Sequence, residues 1–224
     1  MSDASEATQQ RTAPDHEGAV AEAATEEQRA GFEVEDAEDR PPVEELDPET
    51  RARRDAALRL VRKFGDPVLR SKAVPVERFD ERLAQEAERM GELMQDALGV
   101  GLAATQVGVL HRVLVYKAHE EDPVTVLVNP VIEWSSEERE TASEGCLSLP
   151  GVSVEVERAA SVRVSAVDAT GAPLEVEAEG LPARIIQHEV DHLDGVLILD
   201  RISRAERKEA MRAMREAQEA AAAE

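Results

Sequence analysis

His188-Glu189-Val190-Asp191-His192 places two histidines four residues apart, with a glutamate directly after the first. On an α-helix, positions i and i+4 share one face. Both imidazoles can then hold one metal ion, with the glutamate beside them as general base. Leu181 and Ile185 extend the same stripe toward the N-terminus, so the imidazoles point into a core. An inward imidazole nitrogen without a partner costs about 1–3 kcal/mol, so a metal or hydrogen bonds must satisfy it. The motif leaves the third ligand open. The long zinc-protease form needs a third histidine at position 198, which is Ile198, although Gly195 is present. Another peptidase class takes a glutamate from a later helix, and Glu206 and Glu209 have suitable spacing. The remaining source is Cys146.

Cys146 lies in Glu144-Gly145-Cys146-Leu147-Ser148-Leu149-Pro150. A lone cysteine is commonly a small buried hydrophobe. With two imidazoles, its thiolate would complete three protein ligands and leave a fourth position for water, as catalytic sites require. A third segment, Gly99-Val100-Gly101-Leu102-Ala103-Ala104-Thr105-Gln106, has almost no side-chain bulk. It reads as a glycine-rich turn capping a helix, or as backbone that approaches a ligand, with Gln106 as amide donor. It lacks the Lys-Ser/Thr of a phosphate-binding loop.

Together these segments resemble bacterial peptide deformylases. That family carries Gly-x-Gly-x-Ala-Ala-x-Gln, Glu-Gly-Cys-Leu-Ser and Gln-His-Glu-x-x-His in this order. They stand here intact at 99–106, 144–148 and 187–192, and the resemblance runs from about Leu58 to Ile202. It implies an α+β fold of antiparallel sheets around a central metal-bearing helix, with a C-terminal helix. It implies Cys146, His188 and His192 as ligands of one divalent ion, usually Fe(II), with Zn(II), Ni(II) or Co(II) as substitutes. Glu189 matches the general base. Gln106 and the Leu147 N–H match the groups that hold the developing oxyanion. Gly101 matches a backbone contact to substrate, and Val100, Leu181 and Ile185 match the methionine pocket. The implied reaction removes the formyl group from N-formylmethionyl nascent peptides. Some members place an arginine just after the cysteine motif, where this chain has Gly151-Val152-Ser153, so that role is not carried over. A binding protein that kept the fold without the chemistry would lack Glu189 or Gln106.

The elements that must position these residues follow from periodicity. A helix is expected from Asp80 to Leu98, with Phe79, Leu83, Met90, Met94 and Ala97 on one face and Gly99 as its cap. Strands are expected at 112–116, 124–129, 152–157 and 161–167, with Leu174 to Ala178 pairing back after a turn. A second helix spans Leu181 to Leu193, closed by Gly195. A last one starts at Ser203, with Glu206 completing a capping box. Asp47-Pro48-Glu49 can open a helix, while 58–64 and 196–199 are undecided. The mixed order is that of an α+β protein.

The chain carries 26 Lys+Arg against 48 Asp+Glu, a net charge of −22. That balance argues against direct DNA binding and against an anionic membrane surface. A single cysteine excludes an intrachain disulfide. No apolar run is long enough to span a bilayer, and no secretory signal is visible, so a soluble cytoplasmic protein is expected. Residues 1–50 hold 16 acidic and 3 basic residues and few core-forming ones. They read as a disordered acidic tail before the domain at 51–224. Arg201, Arg204, Arg207, Lys208, Arg212 and Arg215 cluster near the C-terminus. Some relatives are thought to dock at the ribosome exit region through such a helix, and a basic helix in an acidic chain suits a polyanionic partner.

Overall fold

The computed structural model describes residues 46–223. Most of the expected acidic tail lies outside those residues, but its expected boundary at 50 moves. Helix α1 spans Pro48–Leu60, and the Asp47 carboxylate caps it, accepting from the Glu49 and Thr50 amides at 3.0 Å each. An acidic N-cap followed by proline at the first helical position is a strong start signal. Pro48–Thr50 therefore belong to the folded part. The undecided stretch from Leu58 is helical through Leu60 and extended from Val61.

Helix α2 (Glu81–Asp96) starts as expected, with Asp80 accepting from the Arg82 and Leu83 amides. Leu83, Ala87, Met90 and Met94 bury one stripe of it. Phe79 precedes the cap and stays 37% exposed, so it is not part of that stripe. The C-terminal cap also differs from expectation. Leu98, not Gly99, takes the left-handed conformation (φ 56°), while Leu98 and Gly99 donate to the carbonyls of Gln95 and Met94. Such a φ costs a non-glycine residue on the order of 1–3 kcal/mol. Gly99 is needed for space: a Cβ there would lie 3.0 Å from Leu147 Cδ1 and 3.3 Å from the Met94 carbonyl. The glycine admits the cysteine motif against the end of α2.

The strands are β1 (Gly101–Ala103), β2 (Val113–Tyr116), β3 (Thr125–Ser135), β4 (Arg139–Gly145), β5 (Ser153–Ala159), β6 (Ser161–Val167) and β7 (Pro173–Glu179). Among the described residues they form a five-stranded antiparallel sheet, β1-β2-β3-β6-β7, and a two-stranded one, β4-β5. The glycine-rich segment is a strand edge and not only a turn: β1 pairs with β2 from Gly101↔Tyr116 to Ala103↔Leu114. The pairing of β7 with β6 is as expected. Strand β4 was not expected, because Arg-Glu-Thr-Ala-Ser-Glu-Gly has no apolar alternation; Glu144 is its one buried residue.

Helix α3 (Leu181–Leu193) lies against one face of the larger sheet and α2 against the other. Leu114 and Tyr116 of β2 pack into the α3 cluster, and Val113 and Val115 into the α2 cluster. A strand covered on both faces reads as the continuous apolar run seen here. A 3-10 turn at Ile198–Asp200 resolves the undecided stretch, and α4 (Arg204–Ala223) follows. Its capping box forms: Ser203 N donates to Glu206 Oε2 at 2.8 Å, and Glu206 N to Ser203 Oγ at 3.3 Å. Ala210 and Met214 fix α4 against Leu149, Val152 and Val156. No helix among the described residues is long and apolar enough to cross a membrane.

Candidate metal centre and active site

One turn of α3 separates His188 from His192, and their rings meet edge to face with centroids 5.0 Å apart. Strand β4 ends at Gly145 and delivers Cys146 opposite them. Cys146 Sγ lies 3.2 Å from His192 Nε2, and one donor atom from each of the three residues falls within 4.8 Å of the others. Burial alone would push the Cys146 thiol up; the two imidazoles overcome it and hold it well below the ordinary thiol range. A thiolate and two imidazoles, close together and part-buried, are a donor set that fits a divalent ion. The 3-10 turn at Ala104–Val107 is tied to the same helix, with Thr105 Oγ1 donating to the His192 carbonyl at 3.1 Å.

The second nitrogen of His188 is fixed by a charge network. Its Nδ1 lies 3.0 Å from Glu144 Oε2. Arg158 grips both Glu144 oxygens at 2.9 Å, and Arg184 adds a contact at 2.8 Å. Desolvation would raise the Glu144 carboxyl, but Arg158 and His188 hold it well below the usual range. A carboxylate only accepts, so His188 Nδ1 donates, and its Nε2 lone pair is left for the centre. Arg158 also reaches Asp191 at 2.6 Å, and Arg201 donates to Asp191 from Nε at 2.9 Å. Buried charges persist only when paired and hydrogen-bonded in this way. Sequence reasoning assigned no role to Glu144, Arg158, Arg184 or Asp191. One signal was available for Arg158: it shares the inward register of β5 with Val154 and Val156, and it is 4% exposed.

Of the remaining candidate residues, Gln106, Glu189 and Gly101 lie at or beside this group. Gln106 is buried, and its Oε1 accepts from Ala103 N at 2.8 Å. Its Nε2 donates to Ser148 Oγ at 3.3 Å and to Cys146 Sγ at 3.7 Å. Glu189 is 4% exposed, and among the described residues its Oε2 is buried without a hydrogen-bond partner. Burial pushes its carboxyl up, and the two imidazoles oppose this. Gly101 faces it: a Cβ on Gly101 would lie 2.9 Å from Glu189 Cγ and Cδ. Val100, Leu181 and Ile185 pack into the apolar cluster beneath α3. Leu147 packs between the end of α2 and the cysteine turn. The alternative ligands Glu206 and Glu209 are not brought here. Both are exposed on α4, and Glu206 is spent on the cap.

The family model for polypeptide deformylase matches residues 58–208. Peptide deformylase 1 of Corynebacterium glutamicum is 53% identical over 154 residues, covering 68% of this chain and 91% of the relative. The chain belongs to the peptide deformylase family. A crystal structure of a peptide deformylase from Legionella pneumophila superposes with a TM-score of 0.69 at 40% identity, covering 73% of this chain and 97% of that one. The Synechococcus elongatus peptide deformylase, crystallised with actinonin, gives 0.65 at 45% identity over 67% of this chain and 84% of that one. The deformylase match begins inside α1 and ends inside α4, so most of each helix lies outside it.

Proposed function

We propose that this chain is a metal-dependent peptide deformylase that hydrolyses the N-formyl group of formyl-methionine on nascent peptides, releasing formate and a free amine. The observation that carries this reading is the buried Glu189 side chain beside the Cys146–His188–His192 group, its Oε2 without a hydrogen-bond partner among the described residues. A divalent ion held by those three residues would polarise the formyl carbonyl and acidify a water molecule. Glu189 takes the proton of the attacking water and passes it to the departing amine, and its raised pKa suits a group that must carry that proton. Gln106 Nε2 and the Leu147 N–H stabilise the oxyanion, about 3 kcal/mol per donor in comparable sites. Val100, Leu181 and Ile185 line the pocket for the methionine side chain, and the Gly101 backbone contacts the peptide. The mixed thiolate–imidazole donors suit Fe(II) as well as Zn(II), Ni(II) or Co(II), and the resemblance to the family favours Fe(II) as the working ion. Because nascent chains are the substrate, the reaction belongs to the cytoplasm. The test is formate release from formyl-Met-Ala-Ser by the purified protein, with its metal content measured. Metal-loaded protein that releases no formate would overturn the reading.

The close fit of Gly101 against Glu189 leads to a prediction. A methyl group there must displace the carboxylate, and small misplacements at a reacting centre are costly. Gly101→Ala is expected to lower kcat about 10²-fold with metal retained. Wild-type turnover would show that Glu189 has room to move.

Ribosome docking is supported by the charge pattern of α4. Arg201 and Arg207 pair with Asp191 and Asp200, and Arg212 with Glu216 at the surface. Arg204, Lys208, Arg212 and Arg215 remain exposed at i, i+4, i+8 and i+11, one basic stripe. Removing the helix would strip Ala210 and Met214 from the core, so charge reversal is the cleaner test. Arg204→Glu with Lys208→Glu is expected to weaken ribosome co-sedimentation and flatten its salt dependence, while peptide turnover holds. Unchanged co-sedimentation would sink the docking idea.

A further inference from the structure

The extended segment leaving α1 passes behind both walls of the site. Arg62 N–H donates to the Gln106 carbonyl at 2.7 Å, and Phe64 N–H to the Ser148 carbonyl at 2.9 Å. Between them Lys63 Nζ donates to the Leu147 carbonyl at 3.0 Å. Val61 is buried where the segment begins, and Phe64 packs against the apolar cluster that Cys146 also joins. Consecutive residues thus hold the carbonyls of the two residues assigned to the oxyanion, Gln106 and Leu147.

Lys63 is the unusual member of this clamp. Backbone amides 62 and 64 make the bonds any strand makes, whereas Lys63 spends a charged side chain on a main-chain carbonyl. A lysine ordinarily keeps its ammonium in water. Lys63 is half-buried; burial pushes its pKa down, and Cys146 pulls the other way. Holding the Leu147 carbonyl fixes the plane of the peptide that follows Leu147. The Leu147 N–H lies in the plane before Leu147, whose Cys146 carbonyl accepts from the Leu149 N–H at 2.9 Å, so with both flanking planes held it has little freedom of direction. An oxyanion donor works only when it is aimed before the charge develops.

We propose that Lys63 is a positioning residue of the hydrolysis: by anchoring the Leu147 carbonyl it aims the Leu147 N–H at the formyl oxygen. This rests on the deformylase reading. Lys63→Met keeps the apolar stem and removes the donor and charge. The Arg62 and Phe64 amide bonds stay, so the fold survives.

The experiment compares full-length, metal-loaded wild type, Lys63→Met and Lys63→Arg. It measures formate release, metal content, thermal midpoint, and amide hydrogen exchange at Leu147. Lys63→Met is expected to lose kcat on the order of tenfold, less than deleting an oxyanion donor outright. KM should stay within about twofold, because the aimed N–H acts mainly in the transition state. Exchange at Leu147 should quicken, with metal content unchanged. Lys63→Arg, which still donates, should recover most of the turnover. Unchanged kcat and unchanged Leu147 exchange in Lys63→Met would overturn the proposal. So would a kcat loss that follows metal loss, or one that arginine does not recover. If wild type releases no formate while Leu147 exchange still responds to Lys63→Met, the deformylase reading fails and the anchoring of Leu147 stands.

Discussion

Glu189→Gln is expected to lower formate release by about 10²–10⁴-fold, the usual contribution of a positioned proton-transfer group, while metal content and fold survive. The residue follows His188 directly, so on the helix it points about 100° away from that ligand. It stands beside the ligand group, not within it. Glutamine matches its volume and so fits the space that Gly101 leaves for the side chain. Oε2 has no hydrogen-bond partner among the described residues, so the exchange breaks no structural bond. What disappears is the capacity to accept and return a proton. KM should move far less than kcat, because the group acts mainly in the transition state. Formate release and metal analysis on matched samples check this. Near-normal turnover would remove Glu189 as the base, and metal loss would make it a ligand or a ligand support.

Cys146→Ala is expected to lose the bound metal and, with it, activity. The sulfur is the anionic member of the donor set, 3.2 Å from His192 Nε2. Without it two neutral imidazoles remain, and no other carboxylate or thiol is grouped with them among the described residues. Glu189 is aimed at Gly101, and Glu144 is occupied by Arg158, Arg184 and His188. Glu144 cannot replace the thiolate without breaking these contacts, and Glu189 is not grouped with the two imidazoles among the described residues. The fold should persist, because the α3 face of the core and the Glu144–Arg158–Asp191 network do not involve the sulfur. The check is metal content after dialysis, together with the thermal midpoint and formate release. Stoichiometric metal and intact activity in Cys146→Ala would move the third ligand elsewhere.

Much of the site was legible because its parts are local. A histidine pair at i and i+4 meets on any helix, and the helix itself was legible from the Leu181, Ile185, His188, His192 stripe, with its bounds. The capping box at Ser203 and Glu206 spans three residues, and the strand at 161–167 alternates on its own. What stayed hidden depends on partners distant in the chain. Strand β4 exists because β5 pairs with it over its whole length, not because its residues favour a strand. A position such as Arg158 becomes a bracket for Glu144 only once the β4–β5 register and α3 bring them together.

The cap of α2 shows the same division. A glycine after a helix predicts a left-handed residue, yet here Leu98 bears that φ and Gly99 gives room to Leu147, 48 residues on in the chain. Lys63, 84 residues before Leu147, carries no signal at all in its own neighbourhood. The sequence by itself determined which side chains could do chemistry together and on which element faces they stand, because helix and strand periods act over a few residues. Only the tertiary structure decided which nitrogen of His188 is tied back, that Gly101 clears space for Glu189, and what holds Leu147 from behind. Those relations are set by packing and by the pairing of buried charges, which join residues that the chain keeps far apart.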